Sequence, residues 1–254
     1  MKLITIFILS VLFSMTAMVD SLFAQFEGEV HFEIIERHSS DQETETNELR
    51  MAFTRDRIFV ESDVSMNVMS GLSTSGILVR NDLQDFILMT GNDEGLKVAK
   101  SELQSVVGLI DRVQGRASVQ TKPFAWDQRV TETGRSQQIQ GYNAYEFQMT
   151  GDREGEIVSV WLSDQIKIRW GLLQEVWYSM GKTRFENEIP VEIVMNNTSF
   201  PLLVEVARDG EVILSARASM IKTTNINRSL TEVPAGTKLL SFADLMMNFF
   251  RQQR

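Results

Sequence analysis

The residues with the clearest potential for chemistry are two acidic side chains and a histidine near the start of the chain. Glu29, His31 and Glu33 follow one another at every second position, which would place three potential metal ligands on one face of a strand. The same spacing is typical of the solvent-facing row of a half-buried strand, which is the commoner situation. We therefore expect no metal site and no cofactor.

A catalytic centre is equally hard to build from these residues. A hydrolase triad needs an activated nucleophile beside a histidine, and the chain has no Cys, no Gly-x-Ser-x-Gly sequence and only His31 and His38. Spacing alone leaves a carboxylate pair for glycoside hydrolysis open, but 34 acidic residues make some such pair inevitable. We predict a protein without catalytic residues that is not an enzyme.

The first residues resemble an export signal. Lys2 precedes an apolar run over residues 3–13, and a more polar stretch ends at Ala24, which is the order of regions in a cleavable signal peptide. We predict that residues 1–24 are removed, leaving Gln25 first. Because no Cys stands at the cleavage point, we expect a periplasmic or secreted protein that is not a lipoprotein.

Charge and composition narrow the class of partner. The chain has 34 Asp and Glu against 25 Lys and Arg, which argues against nucleic acid and against simple adsorption to anionic lipid. No second apolar run is long enough to span a bilayer. No linker or repeat divides residues 25–254, so we predict one domain without a transmembrane span.

Period-two alternation of apolar residues predicts a mainly β fold. Tyr145, Phe147 and Met149 alternate with polar residues, and after a Gly-bracketed turn Val158 and Val160 repeat the pattern, which is typical of an antiparallel hairpin. Further hairpins are predicted around residues 55–57, 81–85 and 208–210, of which the Arg-Asp-Gly turn is the clearest. We expect the sheet to end at residues 233–236.

Three segments predict helices and one predicts a loop. Apolar residues at helical spacing occur over residues 103–113, 168–180 and 242–250, and each stripe would pack on the sheet. Residues 188–195 fit neither period clearly. Residues 64–72 contain Met66 and Met69 and are predicted to form a flexible apolar loop, because Met adapts to irregular contacts.

Several short segments resemble a family of secreted bacterial proteins known only as a domain of unknown function, of the type numbered DUF forty-four-twelve. They occur in the same order over most of the mature chain. The segments are Phe26-Glu27-Gly28, residues 134–147 with Ile139-Gln140-Gly141-Tyr142, Val160-Trp161-Leu162-Ser163, Phe200-Pro201-Leu202 and Val233-Pro234-Ala235-Gly236. That family is similar in layout to the lipoprotein-localisation factors of the LolA and LolB type.

The resemblance implies a strongly curved antiparallel sheet, an incomplete β-barrel, with two or three helices covering or plugging its concave side. It implies a non-enzymatic envelope protein that binds a lipid, an acyl chain or a lipoprotein in that concavity. An envelope sensing or protein-interaction module with the same fold is the alternative. The residues expected to line the cavity are Met66, Met69, Leu103, Val106, Ile110, Tyr145, Phe147 and Trp161.

Overall fold

The computed structural model describes residues 25–37, 44–69, 72–91, 93–102, 105, 129–151, 153–179, 191–224, 227–244 and 247. Within these ranges the side chains of residues 66–69, 72, 176–179 and 191–192 are not described. The predicted helix at 103–113 falls outside the described residues except for Ser105, which is helical. The single-domain prediction for residues 25–254 is not tested by these ranges.

The described residues form one sheet of twelve strands, in the order β12-β6-β5-β4-β3-β2-β1-β11-β10-β9-β8-β7. The strands are β1 (Gly28–Arg37), β2 (Thr44–Phe53), β3 (Arg57–Met69), β4 (Leu72–Arg80), β5 (Asp85–Gly91), β6 (Glu94–Ala99), β7 (Thr131–Ile139), β8 (Tyr142–Thr150), β9 (Glu156–Ser163), β10 (Phe200–Arg208), β11 (Glu211–Lys222) and β12 (Lys238–Ser241). The sheet is open, since β12 and β7 are its two edges.

The prediction of a purely antiparallel sheet is wrong at one edge. Strand β12 pairs with β6 in parallel, through Lys238 with Glu94 and Leu240 with Leu96. The turn at residues 233–236, which was expected to end the sheet, instead leads into this strand. A four-residue strand is too short to show a clear alternation, and its partner lies far away along the chain.

The hairpin turns follow from residues that tolerate positive φ. Asp209 and Gly210 connect β10 to β11 with φ values of 52° and 86°, which is the conformation of a type I′ turn. Asp is one of the few residues with a side chain that accepts this region, and Gly has no Cβ to oppose it. The hairpin predicted at residues 208–210 is therefore confirmed.

One face of the sheet, here called the inner face, carries the main aromatic core. Phe53 is fully buried and lies 5.8 Å from Phe26, 6.1 Å from Trp170 and 5.8 Å from Phe200, measured between ring centroids. Trp170 stacks on Phe200 at 5.9 Å, and its indole N–H donates to the carbonyl of Asn196 at 2.9 Å. This half of the inner face is filled by its own side chains.

The opposite face, here called the outer face, has a smaller core of its own. Ala52, Phe59, Leu78 and Ile87 are buried there, and backbone pairing places them side by side on β2 to β5. Leu230 packs on this cluster from the 3₁₀ turn Arg228–Thr231. The C-terminal segment therefore covers part of the outer face.

The described part of the chain contains two short α-helices, α1 (Leu172–Ser179) and α2 (Val191–Val194). Leu172 and Leu173 of α1 belong to the main core, and Ile193 of α2 belongs to a second core cluster on the inner face. Residues 242–244 and 247 are also helical, while the rest of the predicted terminal helix lies outside the described residues. Within the described ranges no helix is long and apolar enough to cross a bilayer.

The prediction of a helix from residue 168 is wrong in its start. Ile166, Ile168 and Trp170 are buried while Lys167 and Arg169 are exposed, so this segment alternates as an extended chain does. The Phe26 N–H donates to the Lys167 carbonyl at 2.9 Å, which ties the segment to the start of β1. Apolar residues four positions apart fit both the helical period and the strand period, and this segment has the strand period.

The prediction of a loop at residues 64–72 is also wrong. Strand β3 continues to Met69, and β4 begins at Leu72. Their pairing is irregular, with register shifts between Glu61 and Met66 and again near Met69. Val64 and Met66 sit at every second position, so this segment also carries the strand period that the Met content obscured.

Candidate functional site

The inner face of β8 to β11 is a continuous apolar surface. Backbone pairing aligns Phe147 with Val160, Val160 with Val204, Val204 with Ala216, and Ala216 with Ile34. Residues aligned in this way have side chains on the same face of a sheet. These five residues, here called the central row, therefore cross β8, β9, β10, β11 and β1.

The central row is buried in its middle and more open at its ends. Val160 is 0% exposed and Val204 is 5% exposed, whereas Phe147, Ala216 and Ile34 are only half-buried. The row ends beyond Ile34 at the polar Asn47 of β2. Aliphatic side chains of this kind offer an acyl chain contact area without a polar group to satisfy.

A second row lies beside the central row, nearer the hairpin turns. Met149 aligns with Val158, Val158 with Val206, and Val206 with Leu214. Ile193 of α2 packs into the cluster that these side chains form with Val160 and Val204. On the other side of the central row Tyr145 aligns with Leu162 and is 43% exposed, so it forms the rim of the apolar surface.

An ion pair between a buried carboxylate and a half-buried guanidinium closes the second row at the hairpin end. Glu156 is 1% exposed, and the Nη2 of Arg208 lies 3.1 Å from its Oε2. Within the described part of the chain the Oε1 of Glu156 and the Nε of Arg208 are buried without a hydrogen-bond partner. Buried polar atoms with unused hydrogen-bonding capacity are costly unless another polar group completes their hydrogen bonds.

Side chains are described for three of the eight predicted cavity residues, and two of these three lie on this surface. Tyr145 and Phe147 lie on the inner face, as described above. Trp161 pairs with Glu146, and it alternates with the inner-face residues Val160 and Leu162, so its side chain lies on the opposite face. The six remaining candidates divide into Trp161 and five residues whose side chains fall outside the described part: Met66, Met69, Leu103, Val106 and Ile110.

Trp161 is a buried core residue that also borders a polar cluster on β7 and β8. The guanidinium carbon of Arg135 lies 5.9 Å from the centre of the Trp161 ring, at a distance typical of cation–π contact. Arg135 also pairs with Glu146, which is 2% exposed and accepts a hydrogen bond from Thr133 Oγ1 at 2.6 Å. Trp161 is also a member of the main core cluster, and within the described part of the chain its indole N–H is buried without a hydrogen-bond partner.

The acidic residue Glu29 lies at the centre of a charged cluster on the outer face. Arg50 and Lys222 approach its carboxylate at 3.3 Å and 3.4 Å, and the Asn227 N–H donates to it at 3.2 Å. Burial opposes ionisation, but the Asn227 N–H, Lys222 and Arg50 together outweigh it, so the pKa of Glu29 lies below its usual value. Glu29 is therefore an ionised part of the framework.

The row Glu29, His31 and Glu33 does not form a metal-binding arrangement. His31 Nε2 is 3.9 Å from Glu29 Oε2, whose carboxylate already binds two cations, and Glu33 is exposed. Among the described residues no group of three or more histidine and acidic side chains is placed to hold a metal ion.

Glu156 and Arg208 are the site residues that sequence reasoning missed. Each stands beside a turn, Glu156 after Gly155 and Arg208 before Asp209, where charged residues are ordinarily solvent-exposed. Their pairing depends on β9 and β10 meeting in register, with Arg208 opposite Glu156. The sequence gives one signal for these two residues. Each is a charged residue at a position where the alternation of its strand predicts an apolar one.

Comparison with known proteins finds similarity only among solved structures. No family model matches the chain, and no curated protein does. A structure of PNGF-II is 10% identical with a TM-score of 0.40, and the match covers 89% of this chain but 33% of that one. The chain therefore spans about a third of the length of PNGF-II.

Two smaller structures match over most of both chains. A LolA superfamily protein from Nitrosomonas europaea is 13% identical with a TM-score of 0.29, over 82% of this chain and 91% of that one. A DUF1329 family protein from Desulfovibrio piger is 9% identical with a TM-score of 0.31, over 85% and 93%. The chain is similar in layout to these proteins, and the likeness concerns the fold alone. Membership of the DUF forty-four-twelve family stays a prediction.

Proposed function

We propose that this chain is an exported, non-enzymatic binding protein that holds an acyl chain or another apolar group against the inner face of β8 to β11. The observation that carries the proposal is the central row, which aligns Phe147, Val160, Val204, Ala216 and Ile34 across five strands. Export rests on the signal sequence predicted for residues 1–24. The ligand would be a lipid, a free acyl chain or the acyl group of a lipoprotein.

The aliphatic half of the inner face suits such a ligand better than the aromatic half does. Phe53, Trp170 and Phe200 pack on one another and are at most 1% exposed, so they leave little surface for cargo. Phe147, Ala216 and Leu214 are half-buried and can bury further area. At about 25 cal/mol per Å², or about 0.8 kcal/mol per methylene, even a short alkyl chain gains several kcal/mol.

The chemistry of the surface favours binding over catalysis. The central row and the second row consist of hydrocarbon side chains and one thioether, so neither row supplies a nucleophile or a general base. The charged groups nearest to them, Glu156 and Arg208, are paired with each other. A polar end of the ligand would lie near this pair, and the apolar part would lie along the rows.

The experiment is mass spectrometry of organic extracts from protein exported with its own signal and purified without detergent. A near-stoichiometric lipid or fatty acid is the expected result. Phe147→Asn should lose most of it, because a polar amide replaces the half-buried ring on the inner face. Trp161→Phe is the matched control on the opposite face and should retain it.

Two outcomes would contradict the proposal. An extract without any lipid, from protein that unfolds cooperatively, would leave the inner face without a ligand. Equal loss from both folded variants would place the ligand somewhere other than the inner face of β8 to β11.

A further inference from the structure

The outer face carries a groove that the proposed function does not use. It lies between the 3₁₀ turn Arg228–Thr231 with the residues after it and the sheet, and it encloses about 240 Å³. Phe59, Met89 and Leu230 line its apolar part, and all three belong to the outer-face cluster. The groove is thus on the face opposite the central row.

The packing of the floor depends on a glycine. Phe59 rests against Gly76 of the neighbouring strand, where a Cβ would lie 3.2 Å from two atoms of the Phe59 ring. The absent side chain lets the ring lie close to the backbone of β4. Phe59 itself is 8% exposed, so its ring is fixed by the sheet.

The other wall of the groove is acidic. Four carboxylates line it, from Glu61, Asp93, Glu94 and Glu232, and no Lys or Arg side chain lines it. Three of them are paired with cations: Arg50 lies 3.6 Å from Glu61, Lys238 lies 3.3 Å from Glu94, and Arg57 pairs with Glu232.

Asp93 stands apart from the other three carboxylates. Within the described part of the chain it has no ion-pair partner, and it is exposed. The Lys238 N–H donates to its backbone carbonyl at 2.7 Å, which fixes the turn that carries it. The groove therefore offers one uncompensated carboxylate beside an aromatic floor.

We propose that this groove receives an arginine side chain from a partner polypeptide. A guanidinium stacks on aromatic rings, binds carboxylates through several N–H groups and sheds its hydration more readily than an ammonium does. Arginine is accordingly enriched at protein interfaces, whereas lysine is depleted there. An adjacent apolar residue of the partner would contact Met89 and Leu230.

The size of the groove agrees with this occupant. Pockets for drug-sized ligands enclose about 300–1,000 Å³, and 240 Å³ is below that range. The space suits one long side chain with part of a neighbour. The proposal is independent of the inner face, so a protein without any lipid could still bind its partner here.

The test is a titration of the isotope-labelled mature protein, followed by nuclear magnetic resonance. The probe is the capped tripeptide Leu-Arg-Leu, and the matched probe replaces arginine by citrulline, which has almost the same shape and no charge. The arginine peptide should shift the amide signals of Ser75, Gly91 and Thr237, which line the groove. The citrulline peptide should bind at least severalfold more weakly.

Two substitutions complete the test. Asp93 and Asp209 both occupy turns with positive φ, at 55° and 52°, and asparagine accepts this conformation. Asp93→Asn should weaken binding of the arginine peptide by about two- to fivefold, the usual value of one exposed charge pair. Asp209→Asn removes a carboxylate of the same kind far from the groove and should leave the affinity unchanged.

Three results would overturn the proposal. Equal affinity for the arginine and citrulline peptides would show that charge is not recognised. Equal weakening by both substitutions would indicate general attraction to a chain with a net charge of -9. Absence of shifts at the three groove amides, in protein that is folded by its spectrum, would mean that the groove does not admit the side chain.

Discussion

Phe147 and Trp161 lie on opposite faces of the sheet although they belong to neighbouring strands. Phe147 of β8 is aligned with Val160 of β9, while Trp161 is aligned with Glu146. Side chains alternate between the two faces along each strand, so one ligand on the inner face contacts the first ring and not the second. A test of the binding surface must therefore distinguish the two faces of the sheet.

Two labelled variants, one with its label on each face, can distinguish them. The chain has no Cys, so Phe147→Cys and Ile157→Cys each provide a single site for a polarity-sensitive fluorophore. Ile157 is 47% exposed and lies on the outer face, because it alternates with the inner-face residue Val158. Added fatty acid should shift the emission of the label at 147 to shorter wavelength and leave the label at 157 unchanged. Equal shifts at both sites would argue against a bound ligand on the inner face.

A second prediction concerns the ion pair between Arg80 and Asp85. Two hydrogen bonds of 2.7 Å join them across the β4–β5 hairpin, and Asp85 is 3% exposed. Asp85→Ala leaves the Arg80 guanidinium buried without its partner, which typically costs about 3–5 kcal/mol. The free energy of unfolding in urea measures the loss. Glu33→Ala, at an exposed position, should change it by less than about 0.5 kcal/mol.

Much of the sheet can be predicted from the sequence because alternation is a local property. The pattern of Val158, Val160 and Leu162 predicts a strand with one buried face, and the Asp209-Gly210 pair predicts its own turn conformation. Neither pattern shows which strand lies next to which. The parallel pairing of β12 with β6 joins segments that are distant along the chain, and sequence reasoning did not find it.

The candidate site was harder to predict for the same reason. Tyr145, Phe147 and Trp161 are all large aromatic residues in adjacent strands, and only the register separates the first two from the third. Glu156 and Arg208 meet because β9 and β10 are aligned at their turn ends. The segment from Ile166 to Trp170 shows a further limit, since residues spaced by four fit a helix and a strand equally.

A third prediction separates backbone strain from collision at two glycines. Gly171, which precedes α1, has φ of 52°, and a Cβ there would lie 2.3 Å from the Asn81 Oδ1 that accepts the Leu172 N–H at 2.8 Å. Gly210 has φ of 86° but nothing within 4 Å of its Cβ position. Gly210→Ala should cost about 1–2 kcal/mol from the left-handed backbone alone.

Gly171→Ala should cost about 1–3 kcal/mol more than Gly210→Ala, because it adds a steric collision to the same strain. It also displaces the Asn81 side chain that holds the start of α1. Urea unfolding of the two variants side by side gives the difference. Equal costs would mean that Asn81 moves away freely and that its contact with Leu172 contributes little to stability.

The last prediction is a dependence of stability on pH that originates in Glu29. The pKa of this carboxyl is lowered in the folded protein from its usual 4.5, so the folded state binds fewer protons than the unfolded state in the range between the two values. Glu29 therefore stabilises the fold at pH above 4.5, and this contribution is lost as the pH falls through the folded pKa.

The neutral variant Glu29→Gln cannot titrate and leaves Arg50 and Lys222 without their shared carboxylate. It should be less stable than the unsubstituted protein at neutral pH, and the difference should shrink steadily below pH 4.5. Urea unfolding of both proteins over this range measures it. A difference that is constant with pH would mean that Glu29 acts through packing and not through its charge.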